Sequence, residues 1–248
     1  MTMPRRSERT PTFRALAGVV VPPLSAMADI RLHHAERVPQ TGAFVLAPNH
    51  MSEIDPIVVG AALWKAGRAP RFLAKESLFG VPGLGAIMRA TGQVPVDSTG
   101  ITRDADPMAA ARALAEQERS IIIYPEGTLT RDPELWPMRG KTGAVRMALQ
   151  ASVPIVPVAH WGAQRLMPRY GRGIRPFPRK RIDVLFGEPV DLDAYRGGPL
   201  DQATLLRATD EVMRAITDLL VELRGEPAPA ERWDPSKRGQ SETGRFDG

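Results

Sequence analysis

Residues Ile121-Ile122-Ile123-Tyr124 run without a polar break into Pro125, and this run constrains the fold more than any other part of the 248-residue chain. Three consecutive β-branched side chains favour extended backbone, and a strand that is apolar throughout has to be buried. Ala43 to Ala47 (AFVLA), set between Gly42 and Pro48, reads the same way. Ile155 to Ala159 and Ile182 to Phe186 are further strands, and Phe72 to Ala74 and Gln93 to Val96 are shorter ones. Helical stretches lie between them: Ile57 to Lys65, stopped by Gly67, then Gly83 to Arg89, Pro107 to Gln117 and Lys141 to Ala151. Leu205, Val212, Ile216, Leu219 and Leu223 form a helical stripe on a long helix from Leu200 to Leu223. Strand and helix trade places repeatedly, which predicts an α/β fold in which helices cover a mixed, largely parallel sheet.

The length suits one such domain with a large core. Ala15 to Ala28 is apolar but holds Pro22 and Pro23 and is too short to span a bilayer. With Arg14 in it, residues 1–30 read as an interfacial, membrane-contacting segment. The domain proper is then expected over residues 31–224. Residues 225–248, rich in Pro, Gly, Ser and charge without periodicity, are expected to form a disordered tail. No internal repeat is present.

Cysteine is absent, which excludes disulfide scaffolds, thiolate metal sites and cysteine nucleophiles and fits a reducing compartment. Any nucleophilic chemistry must come from oxygen or from the substrate itself. The net charge of +5 favours an anionic partner: a membrane surface, nucleic acid or a phosphorylated small molecule. Arg165 to Arg181 concentrates seven basic residues and no acidic one around Tyr170 and Phe177. Anionic lipid headgroups, phosphorylated ligands or an acidic protein all match that charge, a solvated basic loop is an equal reading, and no nucleic-acid motif accompanies the run. His33, His34 and His160 lack ligand-like spacing with carboxylates, so no metal site is expected.

Two loops carry the chemistry. Asn49-His50-Met51-Ser52-Glu53-Ile54-Asp55 leaves a strand at Pro48 and enters a helix at Pro56, where α/β proteins place their sites. On a helix, His50 and Asp55 would diverge by about 140°. In a loop they can meet, with Pro56 at the first helical position and Asp55 as N-cap. Imidazole is neutral yet basic near pH 7, and a carboxylate on one ring nitrogen fixes its tautomer so that the other accepts a hydroxyl proton. Ser52 lacks a nucleophile elbow, so the attacking oxygen is assigned to a substrate alcohol. The second loop is Tyr124-Pro125-Glu126-Gly127-Thr128-Leu129-Thr130-Arg131. Gly127 permits close backbone approach, Thr128 and Thr130 bring hydroxyls, and Arg131 brings a planar fork suited to phosphate. Each loop alone is ordinary: a helix cap beside a histidine, and a turn.

Together they resemble the 1-acylglycerol-3-phosphate acyltransferase family, marked by Asn-His-x4-Asp and a downstream Pro-Glu-Gly-Thr-x-Ser. Here these are Asn49-His50 to Asp55 and Pro125 to Thr130, with Thr130 where Ser is usual; Gly92 to Asp97 and Val153 to Val158 match two weaker blocks. The resemblance covers roughly residues 30 to 190 and implies a single glycerolipid-acyltransferase-like domain. It implies that His50 deprotonates the hydroxyl of lysophosphatidic acid, which attacks an acyl-CoA or acyl-carrier-protein thioester to give phosphatidic acid, with Asp55 orienting His50 and no cofactor. Asn49, Glu126, Gly127 and Thr128 are expected to touch substrate, Glu126 and Gly127 at the glycerol-phosphate part. The family commonly carries Arg where this chain has Ser98, so Lys75, Arg103, Arg131 or Lys141 is expected to meet the phosphate, with Lys75 and Arg131 favoured by position. Another lysophospholipid or a glycolipid is the alternative acceptor, and an inactive basic peripheral membrane protein the alternative outside the enzymes. The expected location is peripheral, on the cytoplasmic face of the cell membrane beside anionic lipid.

Overall fold

In a computed structural model of the chain, which describes residues 8–96, 113–171 and 173–241, the apolar runs build one five-stranded sheet. Its strands are β1 (Ala28–His33), β2 (Phe44–Pro48), β5 (Ser120–Ile122), β6 (Ile155–Trp161) and β7 (Lys180–Phe186), in the order β1-β7-β6-β2-β5. All neighbours are parallel except β6 and β7, so the sheet is mixed and largely parallel, as expected. At the β5 edge Phe72 bridges Ile122, and β3 (Leu73–Lys75) and β4 (Val94–Val96) continue from there as a small parallel pair.

Period-two alternation divides the core into two halves. Phe44 and Leu46 of β2, Ile122, Val156, Val158 and Ile182 face one side, against Val58, Val59, Ala62 and Leu63 of α2 (Asp55–Lys65). Val45, Ala47, Ile121, Ile123 and Ile155 face the other, against α4 (Gly143–Ala151) and α6 (Gln202–Arg224). Both faces of β2 are therefore fully covered, and removing a side chain such as Leu46 would cost about 2–5 kcal/mol. On α6, Leu205, Val212 and Ile216 of the expected stripe are buried, and Asp201 caps the helix by accepting from Thr204 N–H at 2.7 Å. The short helix α3 (Leu84–Ala90) lies between β3 and β4, and α5 (Ala163–Leu166) follows β6. Residues 113–116 are helical, while the rest of the stretch expected from Pro107 lies outside the described residues.

Two expected boundaries are corrected. The division at residue 30 falls inside β1, an edge strand whose alternating burial was obscured by Asp29 and Arg31. Ahead of it, α1 (Pro11–Met27) keeps Val19 72% exposed yet buries Phe13 and Leu24, so the N-terminal segment is partly core. Residues 225–241 are not a loose tail: Trp233 O accepts from Arg139 N–H at 2.8 Å and Pro235 is buried. A backbone hydrogen bond and one buried proline dock a segment that has no hydrophobic period, which is why periodicity misses it. Among the described residues no helix is long and apolar enough to cross a membrane.

Candidate active site

Strand register brings the two loops together. Leu46 faces Ile122 and Pro48 faces Val158 in parallel pairing, with β2 lying between β5 and β6. Counting forward from those partners, His50 emerges level with Glu126 on one side and His160 on the other. All three lie past or at the carboxyl ends of parallel strands, the edge at which open α/β sheets carry ligands.

His50 Nδ1 lies 3.0 Å from Asp55 Oδ2, so the expected pair forms. Asp55 achieves this differently from the expectation. It is the first residue of α2, not its cap; Ile54 is the cap residue, and Pro56 has no N–H to offer. The carboxylate turns back into the loop, where Oδ2 also accepts Met51 N–H at 2.6 Å and Ser52 N–H at 2.8 Å. Asp55 is fully buried, and these donors hold its charge. Because Asp55 Oδ2 only accepts, His50 carries its proton on Nδ1, leaving Nε2 as the basic nitrogen. Tyr124 stacks on the imidazole with ring centroids 4.1 Å apart and planes 27° apart. Its hydroxyl is enclosed, and burial, helped by the Asp55 charge, pushes its pKa well up, so it stays a neutral phenol.

Glu126 is fully buried rather than open to a headgroup. Oε1 accepts His50 N–H at 2.8 Å and Oε2 accepts Met138 N–H at 3.0 Å. Burial pushes its carboxyl up to about 8 against the pull of these donors, with Asp55 adding to the rise. Thr130 N–H donates to His50 O at 2.7 Å, so the second loop grips the His50 backbone from both its N–H and its carbonyl. Gly127, at φ +68°, lies under the Lys141 side chain: a Cβ there would meet Lys141 Cδ at 3.0 Å. Lys141 N–H in turn donates to Pro125 O at 2.7 Å, and Thr128 lies half-buried on the same turn.

Arg131 is buried, with its guanidinium donating to Tyr170 Oη, so it is not an open phosphate fork. Arg169 clamps the same loop by donating to Thr130 O at 2.7 Å and Asp132 O at 2.6 Å. Asn49 is likewise no surface contact: its Nδ2 donates to His160 O at 3.2 Å and its Oδ1 accepts His160 N–H at 2.9 Å. Lys75 ends β3 with its side chain outside the described set, and Ser98 and Arg103 lie outside the described residues. Sequence reasoning missed the stacking by Tyr124, the Arg169 clamp and the approach of His160 to Asp55. Adjacency to the Pro-Glu-Gly-Thr turn was a usable signal for Tyr124 alone.

The Acyltransferase family model matches residues 29–161. A chloroplastic 1-acyl-sn-glycerol-3-phosphate acyltransferase of Brassica napus, BAT2, is 28% identical over 151 residues, 60% of this chain and 42% of that protein. The 1-acyl-sn-glycerol-3-phosphate acyltransferase of Limnanthes douglasii is 28% identical over 173 residues, 69% of this chain and 58% of the relative. The Bacillus subtilis (strain 168) protein of that name is 26% identical over 169 residues, 67% of this chain and 76% of the relative. This chain thus spans about half the length of the plant relatives. The crystal structure of the 1-acyl-sn-glycerophosphate acyltransferase PlsC from Thermotoga maritima superposes with a TM-score of 0.60 at 21% identity, covering 87% of this chain and 84% of that one, a likeness of fold. With more than half of its residues inside the family match, this chain belongs to the Acyltransferase family.

Proposed function

We propose that this chain moves a fatty acyl group from acyl-CoA or acyl-carrier protein to the hydroxyl of lysophosphatidic acid, giving phosphatidic acid for phospholipid biosynthesis. The observation that carries the reading is the His50–Asp55 pair, set at 3.0 Å beside the glycine turn that follows β5. Nε2 takes the acceptor hydroxyl proton as the oxygen attacks the thioester carbonyl. Asp55 stabilises the imidazolium that forms, and the tetrahedral adduct collapses to ester and thiol, which recovers the proton. The step needs positioning and a base, with no cofactor. The names borne by the relatives from Brassica napus, Limnanthes douglasii and Bacillus subtilis supply the acceptor class.

The reading includes a peripheral seat on anionic membrane at its cytoplasmic face. Phe177 and Ile174, 83% and 47% exposed, project from the basic run. Arg179 ties that run to α1 by donating to Ser25 O at 3.0 Å. Apolar tips among cations suit an anionic bilayer surface.

Thiol release from a set of acyl thioesters, measured with lysophosphatidic acid, other lysophospholipids and glycolipid acceptors, tests the proposal. The parent should turn over lysophosphatidic acid fastest, and His50→Ala should lose about 10²- to 10⁴-fold. A parent rate retained by His50→Ala sinks the general-base step; a faster rate with another acceptor reassigns the substrate.

A further inference from the structure

Asp55 Oδ2 has a second imidazole beside it: His160 Nε2 lies 3.6 Å away. His160 is fully buried on β6, where an imidazole is costly unless its polar atoms are paired. Its main chain pairs with the Asn49 carboxamide, which continues the β2–β6 ladder by one rung beyond Pro48. Its ring nitrogen Nε2 donates to Asn49 O at 3.0 Å. A carbonyl only accepts, so Nε2 carries the proton and Nδ1 is bare in the neutral ring. Nδ1 has no hydrogen-bond partner among the described residues, so a second proton there would be a buried, unanswered charge. Burial accordingly lowers the basicity of His160, against the pull of Asp55. The ring therefore donates its fixed N–H to the Asn49 carbonyl and holds its positive end 3.6 Å from Asp55 Oδ2, a charge–dipole contact rather than a hydrogen bond.

We propose that His160 is a positioning residue: by holding the Asn49 carbonyl and setting an N–H beside Asp55, it fixes where that carboxylate, and through it the His50 ring, sits. Three strands then share one task. β5 and its turn hold the His50 backbone through Glu126, β2 delivers His50, and β6 places His160 at the same level. Its effect on turnover rests on the acyl-transfer reading; its effect on geometry does not.

His160→Phe keeps a ring but removes the donor, and His160→Gln keeps a side-chain N–H near the position of Nε2. In the Phe variant kcat should fall about 10- to 100-fold, the effect of misplacing a reacting group. KM for thioester and acceptor should stay within about twofold, because no substrate contact is removed. The Gln variant should recover most of that loss. Proton NMR of the Nδ1–H shared by His50 and Asp55 should show a displaced or broadened resonance in the folded Phe variant and a near-parental one in the Gln variant. A parent-like kcat and resonance in the Phe variant overturn the proposal, as does a rate that falls only with the folded fraction while the resonance stays put. Should the parent release no thiol from any thioester, the acyl-transfer reading fails and the resonance still decides the positioning role. If the Phe variant does not fold, nitrogen-15 spectra of the parent decide: Nε2 protonated and Nδ1 bare between pH 6 and 8 supports the assignment, and a protonated Nδ1 overturns it.

Discussion

Three donors converge on one oxygen of Asp55: His50 Nδ1 at 3.0 Å, Met51 N–H at 2.6 Å and Ser52 N–H at 2.8 Å. The relation between His50 and Asp55 is thus also the relation that shapes the loop, and two substitutions separate the roles. In Asp55→Asn the amide oxygen can take the position of Oδ2 and keep the loop, while the charge that stabilises the imidazolium is lost. Turnover should drop about 10²- to 10⁴-fold with stability held within about 2 kcal/mol. Asp55→Ala leaves two buried N–H groups unpaired, at about 1–3 kcal/mol each, so both activity and stability should fall. Thiol release and urea unfolding on the same preparations check this; an Asn variant as fast as the parent removes the charge from the mechanism.

Gly127 is the position where the turn tolerates least. At φ +68° any side chain is strained by about 1–2 kcal/mol, and a Cβ would also press on Lys141 Cδ at 3.0 Å. Lys141 can give way because its side chain is flexible, so Gly127→Ala is expected to fold, less stably by about that amount. Denaturant midpoints measure it; no loss of stability would mean that the turn relaxes to negative φ.

Glu126 gives the protein a pH dependence of unusual sign for an acid. Its carboxyl rises from 4.5 to about 8 in the fold, so the folded state binds the extra proton between those values. Where the folded state holds more protons, stability falls as pH rises, here by at most about 1.4 kcal/mol per unit from roughly pH 5 to 8. His160 contributes oppositely: kept neutral in the fold, it adds stability as the unfolded chain's imidazole loses its proton. The difference between parent and Glu126→Gln isolates the first effect. Over pH 5.5, 6.5, 7.5 and 8.5 the unfolding free energy of the parent should fall steadily relative to that of the Gln variant, and parallel curves would mean that Glu126 is already ionised at pH 5.5.

What the chain shows in advance depends on how locally each feature is encoded. β2 and the run into Pro125 are legible because each is a block of apolar residues cut off by Gly or Pro, and the sheet class follows from their alternation with helices. β1 is harder: on an edge with one face half exposed, Ala28-Asp29-Ile30-Arg31 lacks the apolar block. The His50–Asp55 meeting is legible because only a loop can close that spacing. Which way a carboxylate points is not: the resemblance implies that Glu126 touches the glycerol-phosphate part, whereas the fold turns it inward to brace the site from within. Asn49 and His160 are 111 residues apart, and only register makes them neighbours.

The C-terminal segment should matter to the site although it lies beyond the family match. Trp233 O holds Arg139 N–H at 2.8 Å, and Met138 beside it donates to Glu126 at 3.0 Å. Glu126, Met138, Arg139, Lys141 and Pro235 line one small cleft, so the docked segment closes over the support of the Glu126 turn. Nearby, Arg224 lies over Trp136 at 3.9 Å and Trp161 at 4.4 Å and donates to Glu134 O at 2.8 Å, anchoring the same loop from the end of α6. The charged contact of Arg139 with Asp234, at 3.6 Å and half exposed, is the weak part, since such pairs contribute about 0–1 kcal/mol. Backbone docking and the burial of Pro235 should dominate. Asp234→Asn removes the charge while its amide oxygen can keep accepting Ser236 N–H, now at 3.0 Å, and is therefore expected to leave melting temperature and thiol release close to the parent values. Ending the chain after Gly225 should cost about 2–4 kcal/mol and lower kcat more than the folded fraction falls, because Met138 loses its outer support and Glu126 its register on His50. Thermal unfolding and single-turnover acyl transfer on the two variants check the order. A truncated chain with parental kcat would show that the loop holds Glu126 unaided, and a larger effect from Asp234→Asn than from truncation would give the ion pair the role assigned here to the backbone.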